Sequence, residues 1–415
     1  MSATVGAAAT PHVSGLLDAR AGSRHEHDEI LGRLPDHDAA RLLELVADSG
    51  LTGRGGGHFP TARKLALVAG TRDALVVGNA AEGEPASSKD RVLLGLAPHL
   101  VLDGLEIARR IVGVRGSHLA GPADLLDGAV AGALAERQER VRPVAVPEGF
   151  VTGQETAVVA AVQGRPAKPA TLTRPLAERG VSGRPAVVLN VETLAHLALI
   201  ARYGPAWWRS RGVPDDPGTR LVTISGTVRW PGVWEAPGGS TLGDVVGAAG
   251  GVTEPVQALL VGGYHGGWVP WRPDSADRPL TRAGLLEYDV GPGAGVVVAL
   301  PARRCALRVA AGVAAYLAGE SADQCGPCRN GLPALAGHLA ALARGRGTSG
   351  TVDELRRLSG VVDGRGACRH PDGTARFVRS TLRTFAGEVE HHLGGRCSAP
   401  DDEPADTARR TPWPS

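Results

Sequence analysis

Apolar positions change rhythm twice along the chain. Between Asp38 and Ser49, Leu42, Leu43, Leu45 and Val46 fall at helical spacing and Gly50 stops the run, which predicts an amphipathic helix. A glycine-rich stretch, Gly53 to Thr61, leads into a second predicted helix over Ala62 to Val68, and the apolar run from Ala74 to Gly78 reads as a buried strand. Strand and helix signals keep alternating to about Ile200, the pattern of an α/β layered domain, bounded here at 39–211. A Pro/Gly/Asp-rich link, Gly212 to Gly218, then gives way to short strands at Arg220 to Ser225, Gly232 to Glu235, Leu259 to Val261 and Gly295 to Leu300, with a helix near Thr241 to Ala249. These predict a small mixed β domain over 218–301. From Ala302 to about Leu393 the spacing is helical throughout, predicting a helical domain over 302–395. The polar ends, 1–38 and 396–415, are expected as a flexible arm with one short helix and a disordered tail.

Length and charge narrow the class. A chain of 415 residues can bury two or three ordinary cores. Its net charge of +2, from 45 basic and 43 acidic residues without a basic block, leaves no footprint for a nucleic-acid backbone, so no nucleic acid is expected as a partner. No apolar run approaches the roughly 20 residues that cross a bilayer. The first twelve residues also lack a charged segment before an apolar core, so a cytoplasmic protein without direct membrane insertion is expected, with membrane association left open only through partners. Five cysteines is an odd number; Cys325 and Cys328 are close, while Cys305, Cys368 and Cys397 are scattered. That distribution suits metal binding in a reducing compartment better than a disulfide framework. His25 and His27 in the arm, and His391, His392 and Cys397 near the C-terminus, read as surface features.

Candidate chemistry begins at the glycine loop. Backbone N–H groups in a glycine-rich turn before a helix can cradle an anion, and Gly53, Arg54, Gly55, Gly56 and Gly57 form such a run, although a bare turn reads the same way. The next segment is more specific. Asn79-Ala80-Ala81-Glu82-Gly83-Glu84-Pro85, followed by Lys89-Asp90-Arg91, leaves the end of a predicted strand, where ligand crevices of α/β sheets open. Arginine replaces lysine on solvated surfaces but not where a compact ammonium must fit, and the chain keeps only Lys64, Lys89 and Lys168. Lys89 lies in the second of these segments, and Lys64 in the predicted helix that follows the glycine loop.

In order, Gly-Arg-Gly-Gly-x-x-Phe59-Pro-Thr61-x-x-Lys64, Asn79-Ala-x-Glu82-x-Glu84-Pro and Lys89-Asp-Arg resemble the flavoprotein subunit of respiratory complex I and of related NAD-linked hydrogenases and formate dehydrogenases. Gly153-Gln154-Glu155-Thr156-Ala157, Arg165-Pro-x-Lys168-Pro and Asn190-Val-Glu-Thr continue the resemblance, as does Ile224-Ser-Gly-x-Val228-x-x-Pro231-Gly-Val. Glu320-Ser321-x-x-x-Cys325-x-Pro327-Cys328-Arg329, with Cys368 forty residues on, is similar to the family's cluster loop.

The resemblance implies a Rossmann-like flavin domain, a ubiquitin-like β-grasp domain and a C-terminal helical bundle carrying an iron–sulfur loop. It implies FMN and NADH as cofactors and a [4Fe–4S] cluster. Gly53 to Gly57, Phe59, Thr61 and Lys64 would meet phosphate and ribityl groups; Asn79, Glu82, Glu84 and Lys89 would face flavin and nicotinamide; Gly153, Glu155, Thr156 and Asn190 would complete the pocket. Cys325, Cys328 and Cys368 would ligate the cluster, and no catalytic side chain is required, since hydride transfer asks mainly for stacking geometry. The chain departs from the pattern at His58, Ala81, Ser88, Gln154 and Leu189, and Ala322 stands at the usual first cysteine. A fourth ligand could be Asp323, Cys305 or solvent, or the bundle could hold no cluster. The expected function is an NADH dehydrogenase-like oxidoreductase subunit passing electrons through FMN and the cluster to a ferredoxin-like or thioredoxin-fold iron–sulfur protein. The alternative is a degenerate paralogue acting as a relay or scaffold without hydride transfer.

Overall fold

The structure, a computed structural model, describes residues 15–171 and 174–399. The expectations for residues 1–14 and 400–415 lie outside the described residues. Strands β1 (Leu75–Asn79), β2 (Ser117–Gly121), β3 (Val141–Ala145) and β4 (Ala186–Asn190) form a parallel sheet in the order β3-β2-β1-β4. Around it lie α1 (Arg24–Leu31), α2 (Ala39–Ser49), α3 (Thr61–Ala66), α4 (Lys89–Leu96), α5 (Pro98–Val112), α6 (Glu155–Val162) and α7 (Val191–Arg209). Strands β1 and β4 are apolar runs because both their faces are covered. Val76, Val187 and Leu189 point into one core with α5 and α7, while Leu75, Val77 and Val188 point into the other with α6. Helices α5 and α7 cross backbone to backbone: a Cβ on Gly104 would run into the carbonyl oxygen of Leu194.

Residues 15–38, expected as a flexible arm, are instead part of this domain. Leu16 and Ala19 are fully buried, and α1 is anchored by the carboxylate of Asp103 on α5. His27 Nε2 lies 2.8 Å from that carboxylate, Arg24 Nη1 3.0 Å and Arg137 Nη2 2.6 Å, and Arg202 also bonds it. A carboxylate buried in a helix interior requires cations around it, and the arm supplies two of the four groups. Burial favours protonation of Asp103, but His27, Arg202 and Arg137 outweigh it and hold the carboxyl well below the ordinary range.

A second sheet follows the link: β5 (Thr219–Gly226), β6 (Gly232–Pro237), β7 (Val256–Val261), β8 (Gly267–Pro270) and β9 (Val296–Pro301), in the order β8-β7-β9-β5-β6. Strand β9 runs parallel to β5 and antiparallel to β7. One face, with Ile224, Leu259 and Val297, packs under α8 (Leu242–Ala248), which Thr241 and Asp244 start with a capping box. The other face, with Leu260, Trp268 and Val298, packs on the helical domain of α9 (Ala306–Gly319), α10 (Leu332–Ala343), α11 (Ser349–Val362), α12 (His370–Thr384) and α13 (Ala386–Leu393). Trp268 is the bolt of that contact, donating from Nε1 to Thr381 Oγ1 at 3.1 Å and from its backbone N–H to Ser380 Oγ at 2.8 Å.

Candidate functional site

Asn79 and Asn190 are register partners at the carboxyl ends of β1 and β4, so one edge of the sheet carries both amides. Asn79 donates from Nδ2 to Gly153 O at 2.9 Å and accepts the Ala81 N–H at 3.0 Å, which turns the acidic segment away from the strand. Asn190 caps α7 by accepting the Glu192 N–H at 3.0 Å and donates to Asp90 Oδ2 at 2.6 Å. The glycine loop lies on it: a Cβ on Gly55 would stand 3.2 Å from the Asn190 Cβ. Lys64 reaches the same edge from α3, donating to Val188 O at 2.7 Å and pairing with Glu155. The edge thus gathers the glycine loop, Lys64, Asn79, Gly153, Glu155 and Asn190.

Three expected contacts take other roles. The Arg54 guanidinium is buried 5.8 Å over the Trp208 ring and donates to Thr52 and Pro217, and burial beside Arg220 brings its pKa down to about 10. It braces the loop from beneath and does not face the edge. The Lys89 ammonium donates to Asp90 Oδ1 at 2.6 Å and to Asn190 Oδ1 at 3.2 Å, and it is ion-paired with Glu192 Oε2 at 2.9 Å. Burial opposes its charge, but Asp90 and Glu192 outweigh that and hold its pKa above the ordinary value. Lys89 is buried within this cluster and orients Asn190 rather than facing the open edge. Thr156 accepts the Ala170 N–H at 2.9 Å and donates to Gln154, tying its own loop together. Asp90 and Glu192, which complete the Lys89 cluster, belong to the Lys-Asp-Arg and Asn-Val-Glu-Thr motifs, but sequence alone assigns them no role.

Beside the edge opens a cavity of about 210 Å³ lined by Glu82, Glu84, Ser88, Arg91, Thr152 and Tyr316 among others. Burial pushes Glu82 up to about 7, with the charge of Asp90 adding to it. Burial likewise pushes Glu84 up to about 7, although its carboxylate accepts the N–H groups of Tyr264 at 2.8 Å and Ala86 at 3.2 Å. Tyr316 comes from α9 and places an aromatic ring on the wall that also holds Ser88, where the resemblance leads one to expect an aromatic side chain. Its only trace in the sequence is helical phase ahead of the cysteine motif.

The cavity wall leads directly to the cysteine loop. Glu320, the residue after α9, accepts the Phe150 N–H at 2.8 Å, and Thr171 donates to Ala367 O at 3.2 Å. Cys325, Cys328 and Cys368 come together where the loop meets the segment before α12. Burial opposes ionisation of Cys325, but the N–H groups of Ala367 and Cys328 outweigh it and lower its pKa, the direction that favours a thiolate ligand. Burial and the neighbouring Cys325 push Cys328 up to about 12. Three cysteines fit three corners of a cube. Of the candidates for the fourth, Asp323 pairs with Arg329 Nε at 3.1 Å on the outer side of the loop. Cys305 is ruled out by length: it caps the start of α9, and a helix of those dimensions sets it about 20 Å from the cluster loop at the other end.

Three families match in the order of the domains. The Nuo51 FMN-binding domain matches residues 46–199, the SLBB domain 221–264, and the NADH-ubiquinone oxidoreductase-F iron-sulfur binding region 308–392. The F subunit of NADH-quinone oxidoreductase from Streptomyces coelicolor is 31% identical over 94% of this chain and 90% of its own length. The chain belongs to the family of NADH-quinone oxidoreductase F subunits. The F 2 subunit of the same oxidoreductase from Rhizobium meliloti is 29% identical over 93% of this chain and 95% of its own length. Among solved structures, an NAD⁺-reducing [NiFe]-hydrogenase in the H₂-reduced state superposes with a TM-score of 0.80 at 31% identity, over 86% of this chain. This chain spans 63% of that hydrogenase chain.

The residues present fit the family's cofactors. A flavin phosphate needs a cradle free of side chains, and a Cβ on Gly57 would meet nothing within 4 Å, while Thr61 Oγ1 and His58 Nε2 are buried without a hydrogen-bond partner. His58 takes a left-handed backbone, φ 49°, where the family pattern has glycine, so the replacement keeps the shape of the loop. No helix among the described residues is long and apolar enough to cross a membrane.

Proposed function

We propose that this chain accepts electrons from NADH on FMN and passes them through an iron–sulfur cluster at Cys325, Cys328 and Cys368 to a protein partner. The observation that carries this reading is the continuity of one wall: the cavity beside the Asn79–Asn190 edge is closed by Tyr316, on the helix that ends in the cysteine loop. When bound, FMN supplies a two-electron acceptor for hydride and a one-electron donor toward the cluster. The chain's own part is positional. The glycine loop and Lys64 would hold the phosphate, Asn79 and Asn190 set the edge on which the ring system rests, and Glu82 and Glu84 would meet the nicotinamide side. With carboxyl groups held near neutrality by burial, that side carries less fixed negative charge than two ordinary glutamates would, which favours an approaching dinucleotide.

Glu320 ties the start of the cluster loop to the Gly149–Gly153 segment, which borders the flavin edge. The acceptor we propose is a ferredoxin-like or thioredoxin-fold iron–sulfur protein of the cytoplasm docking on the cysteine loop, in keeping with relatives named as subunits. The relatives and the preserved cradle favour this reading over a scaffold without hydride transfer. A visible spectrum of protein purified without oxygen, taken before and after NADH and with iron and sulfide assays, tests it. Flavin bands that bleach together with cluster iron support it; a colourless protein under those conditions sinks it.

A further inference from the structure

The redox sites leave Cys305, His392 and Cys397 unused, and local sequence alone assigns the last two to the surface. The structure brings them together. Cys305 caps the start of α9, Glu388 and His392 stand one turn apart on α13, and Cys397 follows that helix. Among the described residues this is the group whose possible metal-ligand atoms all lie within 4.8 Å of one another.

We propose that Cys305, Glu388, His392 and Cys397 form a structural site for a zinc ion, separate from the iron–sulfur loop and independent of the electron-transfer reading. Tetrahedral zinc with bonds of about 2.0–2.3 Å sets neighbouring ligand atoms about 3.3–3.8 Å apart. Here Cys305 Sγ lies 3.3 Å from His392 Nε2 and 3.8 Å from Glu388 Oε1, and Cys397 Sγ lies 3.3 Å from Glu388 Oε1. His392 Nε2 and Glu388 Oε1 are 2.9 Å apart and would open by a few tenths of an ångström around an ion. Two thiolates, one imidazole and one carboxylate form a closed donor set that suits zinc better than magnesium or calcium, which prefer oxygen.

The surroundings hold the ligands as a metal site needs. His392 is buried, and its Nδ1 donates to Leu342 O on α10 at 3.1 Å, which leaves Nε2 as the ligand atom, facing Cys305 Sγ and Glu388 Oε1. Ser398 steadies the carboxylate, its N–H donating to Glu388 Oε1 at 3.2 Å and its hydroxyl to Oε2. Cys305 is 1% exposed. Binding releases the thiol protons of Cys305 and Cys397 to solvent and leaves zinc's oxidation state unchanged. The ion would join the start of α9 to the end of the chain's last described helix. The helix that ends in the cluster loop would thereby be anchored at its far end.

Zinc content and zinc-edge X-ray absorption of the full-length protein, purified without chelators, test the proposal, because iron is silent at that edge. We expect about one zinc per chain with a mixed shell of two sulfurs and two lighter atoms. We also expect Cys397→Ser and His392→Asn to lose that zinc while iron content is unchanged. An all-sulfur shell would place the metal at Cys325, Cys328 and Cys368 and overturn the proposal. So would a wild-type protein that stays zinc-free after incubation with zinc chloride, or a Cys305–Cys397 disulfide found in peptides from freshly purified protein. The wild-type measurement decides even where a variant fails to fold.

Discussion

Asn79 and Asn190 close the same register pair of β1 and β4, and each uses both ends of its amide inside the protein. Asn190 has two tasks that substitution can separate. As the cap of α7 it can be replaced by serine at little cost, whereas alanine would cost about 1 kcal/mol. As the platform beneath the glycine loop it needs the amide that Asp90 and Lys89 hold in place. Asn190→Ser should therefore keep the cap, lose about 1–3 kcal/mol with the buried hydrogen bonds to Asp90 and Lys89, and purify with at least tenfold less flavin. Melting curves and flavin fluorescence after acid release check this; unchanged flavin content would remove Asn190 from the cradle.

The ammonium of Lys89 is the hub of a buried cluster and contributes to flavin binding only through Asn190. Lys89→Met leaves Asp90 and Glu192 buried without their cation, a change that costs about 3–5 kcal/mol. Burial opposes ionisation of Glu192, but Lys89 and His196 outweigh it and hold its pKa at about 2, so its charge persists at every working pH. Urea denaturation should register the loss as a lower midpoint with unchanged slope. If Lys89 instead met the nucleotide, the variant would lose cofactor affinity at nearly parental stability.

Much of this arrangement is legible in the sequence, and what is not has a common cause. The strands, the glycine loop and the acidic segment are local patterns, so Asn79, Glu82 and Lys64 can be placed from the order of residues alone. The polarity of Arg24 to Asp28 is equally plain, but it suggests solvent, because the carboxylate it serves lies at Asp103, far along the chain. His392 and Cys397 mislead in the same way. The Glu388–His392 spacing of one helical turn, with a cysteine soon after, is the available signal, but Cys305 completes the group from the other side of the domain. Burial of a charged or ligating residue is decided by its distant partner, and periodicity carries no information about that partner.

The same dependence on a distant partner yields a prediction at the arm. Asp103→Asn keeps the volume but removes the charge facing Arg24, Arg137 and Arg202, so the cations are left buried together at a cost of about 3–5 kcal/mol. Release of α1 should come first, seen as rapid proteolysis within residues 15–38 while the rest of the domain resists. Arg24, one quarter exposed in its side chain, is a lesser member, and Arg24→Ala should cost well under half as much. Equal protease resistance of Asp103→Asn and the parent would mean that the arm is held by its apolar contacts at Leu16 and Ala19 alone.

The cavity glutamates predict how stability changes with pH. Glu84 has an ordinary value of 4.5, and burial raises it to about 7 in the folded chain. Below pH 4.5 both folded and unfolded states carry the proton, and the folded state has its full stability as far as this group is concerned. Between 4.5 and 7 the unfolded state releases the proton and the folded state keeps it, so stability falls as pH rises, and above 7 it levels off. Glu84→Gln removes this slope. It also removes one acceptor for the N–H groups of Tyr264 and Ala86, a loss of about 1 kcal/mol that does not depend on pH. The variant should therefore be less stable than the parent at pH 5 and should recover about 1–3 kcal/mol relative to it by pH 8. Glu82→Gln should show the same sign, since Glu82 is raised by the same burial. Denaturation midpoints at half-unit steps from pH 5 to 8 are the measurement; curves that stay parallel would show that both carboxylates are already ionised and solvated at pH 5, and the cavity would then present two full negative charges to any dinucleotide.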